Sequence, residues 1–271
     1  MTETGLLAAG ACNLGLALTA EQLGQFAEYS RELQQWNQRV NLTAITDERE
    51  IETKHFLDSL AILKVCRFSD VGQPSVVMST DTTGTETSEG LVDSGPFTLI
   101  LPRAARVIDI GTGAGFPGLP LKIAVPTLHL VLVESIQKKT AFLHHIVQHL
   151  GLRDVDVVTA RAEELGHAPQ YRASADLAVA RAVTKMPALA ELTLPFCRQG
   201  GFFVAYKGRA AREEAASARR ALGLLGGKLT GIVAVKLLKE LETRFLIVVR
   251  KVSPTPAAYP RRAGMPTKAP L

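Results

Sequence analysis

The residues best suited to chemistry form one run, Asp109-Ile110-Gly111-Thr112-Gly113-Ala114-Gly115-Phe116-Pro117-Gly118, which continues from the β-rich stretch ARVI. Glycines without Cβ atoms let a backbone turn sharply at a strand end and come close to a ligand. The dinucleotide fingerprint GxGxxG, started at Gly111, requires glycine at position 116. Phe116 stands there and the spacing is GxGxG. That disfavours NAD and favours S-adenosyl-L-methionine, which has no pyrophosphate to cradle. Gly111 and Gly113 are therefore candidate cofactor residues. Glu134, at the end of the next β-rich run, is a carboxylate able to accept hydrogen bonds from both ribose hydroxyls.

Other chemistries lack their residues. There is no GxxxxGK[ST] cradle for phosphoryl transfer and no GxSxG elbow for serine hydrolysis. Cys12, Cys66 and Cys197 contain no CxxC, and Cys197 in the apolar run LPFCRQG reads as packing rather than as a pyrimidine-activating nucleophile. Exocyclic amine methylation commonly uses an Asn/Asp-Pro-Pro-aromatic loop after the fourth strand, where this chain has Arg181-Ala182-Val183-Thr184. A guanine N7 has its lone pair available and no proton to lose, so its methylation needs orientation rather than a base. His145 and His149 share a helix face without a third ligand in view, which predicts a polar surface and no metal. His55 and Asp58, three apart, serve either to dock a helix or to gate a substrate site.

Helices and strands must position these groups. Thr19 and Gln22 form a capping-box signature, followed by Leu23, Phe26, Tyr29, Leu33, Trp36 and Val40 at helical spacing. A second helical stretch is expected over about 47–65, making residues 1–66 an N-terminal helical cap. Residues 67–104 read as a flexible insertion or linker, richest in Ser, Thr and Gly over about 72–95. Strands and helices alternate from Ala105, whereas KLTGIVAVKLL and TRFLIVVRKV have no helix between them. The expected fold is an α/β, class I (Rossmann-like) methyltransferase over 105–252, with a seven-stranded, mostly parallel sheet and a terminal antiparallel strand pair. The tail, 253–271, is proline-rich and basic and is expected to stay extended.

Among 271 residues, 46% are hydrophobic and 21% charged, as in ordinary globular enzymes. No apolar run reaches the roughly 18 residues of a membrane span, and the start lacks a basic signal-peptide region, so a cytoplasmic protein, expected to be a monomer, follows. The net charge is +5, and from Thr243 onward six basic residues occur with no acid. Arg261, Arg262 and Lys268 in the tail are candidate phosphate contacts for RNA.

Taken in order, Trp36-Asn37 with Asn41-Leu42-Thr43, His55-Phe56-Leu57-Asp58-Ser59, the turn 109–118, Arg181-Ala182 and Lys207-Gly208 resemble the RsmG/GidB family. These are bacterial small-subunit ribosomal RNA guanine-N7 methyltransferases, and the resemblance spans about residue 14 to the end. Tyr259-Pro260-Arg261-Arg262, with Gly264, Pro266 and Lys268, is similar to the tails of some members. The resemblance implies S-adenosyl-L-methionine as cofactor and 16S ribosomal RNA, or the small subunit, as partner. It also implies that Gly111 and Phe116 contact the cofactor, that Ala162-Glu163 bracket its adenine, and that Arg181 lines the active site. Lys54 stands before His55 where the family usually has arginine, and the insertion is atypical. Two other readings stay open: a non-catalytic RNA-binding factor on a methyltransferase-like fold, and an NAD-dependent oxidoreductase.

Overall fold

A computed structural model describes residues 5–78, 97–238 and 241–271. Helix α1 (Gly5–Asn13) buries Leu7 and Ala11. Helix α2 (Ala20–Asn37) starts on the expected capping box, with Thr19 accepting from Gln22 N–H and Gln22 returning to the Thr19 backbone. Its Phe26, Tyr29 and Leu33 face inward. The next helical run comprises α3 (Glu48–Glu50), a π-helical turn (Ile51–Leu57), α4 (Asp58–Leu60) and a 3₁₀ turn (Ala61–Lys64). From Ile51 to Leu63 it is buried all round, Lys54 excepted, whereas Glu48 and Arg49 of α3 and the terminal Lys64 are exposed. That burial explains its mixed apolar pattern, which has no polar stripe to give a helical period.

Part of the stretch expected as a linker is ordered. Strands β1 (Cys66–Ser69), β2 (Ser75–Met78) and β3 (Phe97–Pro102) form a small sheet in the order β1-β3-β2. Phe97, Leu99 and Leu101 point inward at the period of two that defines a half-buried strand. The surrounding Ser, Thr and Gly obscure that short signal. The middle of the expected insertion, 79–96, lies outside the described residues.

The main sheet has the order β6-β5-β4-β7-β8-β10-β9. Its strands are β4 (Arg106–Ile110), β5 (His129–Glu134), β6 (Val155–Thr159), β7 (Ala175–Arg181), β8 (Cys197–Lys207), β9 (Gly227–Val235) and β10 (Arg244–Lys251). All neighbouring pairs are parallel except those of β10, which is antiparallel to both β8 and β9. The terminal pair is present as expected, with its second strand inserted between β8 and the first. Cys197 opens β8, four residues after the end of α8 (Met186–Thr193).

Helices α5 (Gly118–Ala124) and α6 (Gln137–His149) cover one face of the sheet together with the cap, in one apolar cluster containing Phe26, Tyr29, Phe56, Leu119, Leu132 and Phe142. Helix α8, with α9 (Ala211–Ser217) and α10 (Arg219–Leu224), covers the other face through Met186, Leu189, Ala215 and Leu222. Short helices α7 (Ala162–Leu165) and α11 (Met265–Lys268) complete the described chain.

The tail is not a free extended segment. The Arg172 guanidinium donates to the carbonyls of Thr255, Pro256 and Tyr259. The Gly264 N–H donates to Glu163 at 2.8 Å, and Arg261 forms a forked ion pair with Glu191, which is fully buried on α8. Acids elsewhere in the chain, which charge counting along the tail could not reveal, hold it down.

Candidate active site

A cavity of about 570 Å³ opens where β4 and β7 end, between the sheet and the cap. In open α/β sheets the carboxyl ends of strands at a switch in strand order are where ligands bind. Here β4 is the strand from which the sheet continues to β5 on one side and β7 on the other. Gly111, Thr112, Gly113, Ala114 and Phe116 line the cavity from the turn after β4, and Arg181 with Ala182 from the end of β7. The cap contributes Thr43, Lys54, His55 and Asp58, and the far side contributes Tyr206, Lys207 and Arg244.

The turn leaves bare backbone facing the cavity. Gly113 has φ +62°, and a Cβ there would meet nothing within 4 Å, so bare backbone faces open space. Gly111 also has positive φ, and a Cβ on it would sit 2.9 Å from the Val183 side chain. Asp109 anchors the turn from below: its carboxylate accepts from Thr112 Oγ1 at 2.6 Å and from Gly118 N–H at 2.8 Å. Burial pushes its carboxyl up to about 7, against the opposing pull of those two hydrogen bonds. One Asp109 oxygen, Oδ1, is buried without a partner, a polar atom left over in the wall of the turn.

Glu134 joins the same turn, receiving Gly113 N–H at 3.1 Å and Ile136 N–H at 2.8 Å. A carboxylate has about four acceptor positions, so two remain for ribose hydroxyls. Gly111, Gly113, Glu134, Phe116 and Arg181 are thus brought together. Glu134, Ala162 and Glu163 are not themselves among the cavity's lining residues: Glu134 reaches it through Gly113, whereas the Glu163 carboxylate accepts from the tail at Gly264.

Phe116 does more than interrupt a fingerprint. Its ring is sandwiched between Tyr29, with centroids 5.5 Å apart, and His55, with centroids 4.4 Å apart and planes 13° from parallel. The Arg181 guanidinium carbon lies 5.0 Å from the same ring. The residue after the third glycine is therefore the point where cap, turn and β7 meet. The Tyr29 hydroxyl adds a bond to the Ala114 carbonyl.

The upstream motifs converge here through one hydrogen-bonded chain. Asn37 Oδ1 accepts from Leu42 and Thr43 N–H while its amide donates to Thr43 O at 2.9 Å, fixing the loop after α2. Thr43 Oγ1 then lies 2.7 Å from His55 Nε2, and Arg181 Nη2 lies 3.2 Å from His55 Nδ1. Arg181 can only donate, so Nδ1 is the bare nitrogen and Nε2–H donates to Thr43. Burial, then the Arg181 charge, lower the His55 imidazole to about 3, keeping it neutral. Arg181 also donates to Lys54 O and to Asp58 Oδ2, each at 2.8 Å, and Asp58 Oδ1 receives Arg244 Nε. One buried carboxylate thus holds two guanidiniums, one from β7 and one from β10. Lys207 is committed to Glu214 at 2.6 Å and Thr184 O at 2.7 Å.

Of the tail candidates, Arg261 is tied to Glu191, whereas Arg262 and Lys268 are exposed. The two inner cysteines are unsuited to nucleophilic work, since burial pushes the Cys197 thiol up to about 12 and raises that of Cys66 as well. His145 and His149 do gain a third partner that the sequence did not disclose, Glu32 of α2, 2.6 Å from His145 Nε2.

Sequence reasoning missed the Phe116 sandwich and the role of Arg244. The Phe116 position was visible only as an exception to a motif, and Arg244 carried no local signal beyond its charge. No described helix is long and apolar enough to cross a membrane.

The profile of the family described as rRNA small subunit methyltransferase G matches residues 22–78 and 78–242. A protein named Ribosomal RNA small subunit methyltransferase G from Roseiflexus castenholzii is 49% identical over 261 residues, covering 96% of this chain and 97% of that protein. Its namesake from Acetivibrio thermocellus is 40% identical over 266 residues, covering 98% and 96%.

Proposed function

The chain belongs to the rRNA small subunit methyltransferase G family, and on that premise we propose that it transfers a methyl group from S-adenosylmethionine to N7 of a guanine in 16S ribosomal RNA. When bound, S-adenosylmethionine supplies a methyl on a sulfonium, an electrophile that needs only a lone pair in line with the breaking bond. The chain's residues then have to hold, orient and exclude water.

One observation carries the choice of N7. Asp58 and His55, the cavity's carboxylate and imidazole, are both already engaged. Asp58 gives one oxygen to each of Arg181 and Arg244, and His55 is bonded at both ring nitrogens and held neutral by burial and the Arg181 charge. The Tyr206 hydroxyl donates to Ser59 O, and burial pushes it well above its ordinary range. A nucleophile that must shed a proton finds each of these groups already committed to other partners, whereas guanine N7 has no proton to shed.

In this reading Gly111 and Gly113 give the cofactor its close backbone approach and Glu134 takes the ribose hydroxyls. Arg181, locked by Asp58 and the face of Phe116, presents a fixed cation beside the reacting atoms. Ala182 continues from it at φ 55°, a conformation disfavoured for residues with a Cβ and common where a functional site dictates the backbone. Lys139, at the cavity rim, together with Arg262 and Lys268, contributes phosphate contacts. The target guanine must be unstacked to reach the cavity. We place the reaction in the cytoplasm, with the enzyme acting as a monomer.

The test is incubation with labelled S-adenosylmethionine and small-subunit RNA, offered naked, in an assembly intermediate and in the intact subunit. Label recovered as 7-methylguanine supports the reading, and label at another atom overturns it.

A further inference from the structure

On the face of α6 away from the cavity, two histidines one helical turn apart meet two glutamates one turn apart on α2. His145 Nε2 lies 2.6 Å from Glu32 Oε2, and His149 Nε2 lies 3.3 Å from Glu28 Oε2. The Glu32, His145 and His149 ligand atoms all fall within 4.8 Å of one another. Donors at such separations can close around one ion, since zinc–nitrogen and zinc–carboxylate bonds are about 2.0–2.2 Å long. Two imidazoles with a carboxylate are ligands of intermediate softness, suited to zinc and similar first-row ions and poor for magnesium.

The surroundings hold these ligands in place. Glu28 uses its other oxygen, Oε1, on Arg31, leaving Oε2 turned toward His149. His145 packs on Trp36, ring centroids 5.0 Å apart, and the two imidazoles stack at 5.6 Å. A hydrogen-bonded carboxylate and a packed imidazole are the kind of support that orients metal ligands. Glu32 is largely buried, whereas both histidines are partly open to solvent, so an ion has a path in.

We propose that Glu32, His145 and His149, with Glu28 against His149, form a binding site for a divalent transition-metal ion of the zinc type, bridging the N-terminal cap to the sheet domain. The ion is structural, held by Glu32 from α2 and by His145 and His149 from α6. Its place on α2 ties it to function, because the same helix carries Tyr29, which stacks on Phe116 and bonds the Ala114 carbonyl in the glycine turn. Clamping α2 to α6 steadies that contact.

The chain's single tryptophan is Trp36, against His145, so its fluorescence reports the site. Untagged full-length protein, stripped with chelator, is titrated with zinc ions while Trp36 emission is followed; cobalt ions then give the visible spectrum of a tetrahedral site. Saturable binding of one equivalent is expected, with a Tm raised by a few degrees. The same titration of His145→Ala/His149→Ala should show affinity reduced by at least about 100-fold, and Glu32→Gln about 10-fold or more. S-adenosylmethionine binding by both variants confirms that they fold. Absence of saturable zinc binding by the wild type, or variants that bind zinc as well as it does, would overturn the proposal.

Discussion

At the scale of single residues, the glycine turn is held at positive φ and two buried titratable groups lie beside it. Gly111 has φ +66°, a conformation that costs a residue with a Cβ about 1–2 kcal/mol and a β-branched one more, and the added Cβ would press on Val183. Gly111→Val is therefore expected to weaken S-adenosylmethionine binding at least about 10-fold by calorimetry. Two groups near the turn titrate in opposite senses. Asp109 is raised from 3.8 to about 7 by burial, so its contribution to stability is present below pH 3.8 and lost as pH rises through about 7. His55 is lowered from 6.5 to about 3 by burial and the Arg181 charge, so its contribution is present above pH 6.5 and lost as pH falls toward 3. Between those limits the slopes oppose each other. Urea midpoints at pH 4.5 and 6.5 should show Asp109→Asn losing more stability on acidification than the wild type, and His55→Gln losing less.

Elements matter through the contacts they bring from a distance. The tail carries Arg261 to Glu191 on α8, which has no exposed surface of its own, so the pair is one where loss of a partner leaves a buried charge uncompensated. Arg261→Ala is expected to destabilise the fold by about 3–5 kcal/mol in urea unfolding, where a solvated tail arginine would leave it unchanged. The cap helices are similar in kind. The WNxxxNLT and HxLDS blocks are legible in the sequence as a family resemblance, but their purpose is not. Asn37 shapes the loop that puts Thr43 on His55, and His55 and Asp58 together hold Arg181. Neither block needs to touch the cofactor to explain its residues.

For the whole molecule, the net charge of +5 says that a polyanion is attracted, not where it lies. Several of the cations that make the chain look RNA-binding are engaged internally: Arg181 and Arg244 on Asp58, Lys207 on Glu214, and Arg261 on Glu191. Arg262 and Lys268 are exposed on the docked tail. Arg262→Ala/Lys268→Ala should leave cofactor affinity and unfolding midpoint unchanged. Its RNA affinity should fall less steeply with salt, the slope of log K against log salt shrinking by about 0.7 for each phosphate that the variant no longer neutralises.

The sequence by itself determined the sheet type, the terminal antiparallel pair, the capped N-terminal helix and the glycine turn. Each of these is written in residues adjacent along the chain, through periodicity, capping and glycine spacing. Even there it was limited, because the short β1–β3 sheet has too few alternating residues to stand out from its Ser, Thr and Gly. Only the tertiary structure decided which charges are available and which are neutralised, since an ion pair such as Arg244–Asp58 or Arg261–Glu191 joins residues far apart in sequence. It also turned Phe116 from a missing glycine into the ring on which His55, Tyr29 and Arg181 converge. Local spacing fixes where a backbone turns, while the partners of a buried side chain depend on packing between distant segments.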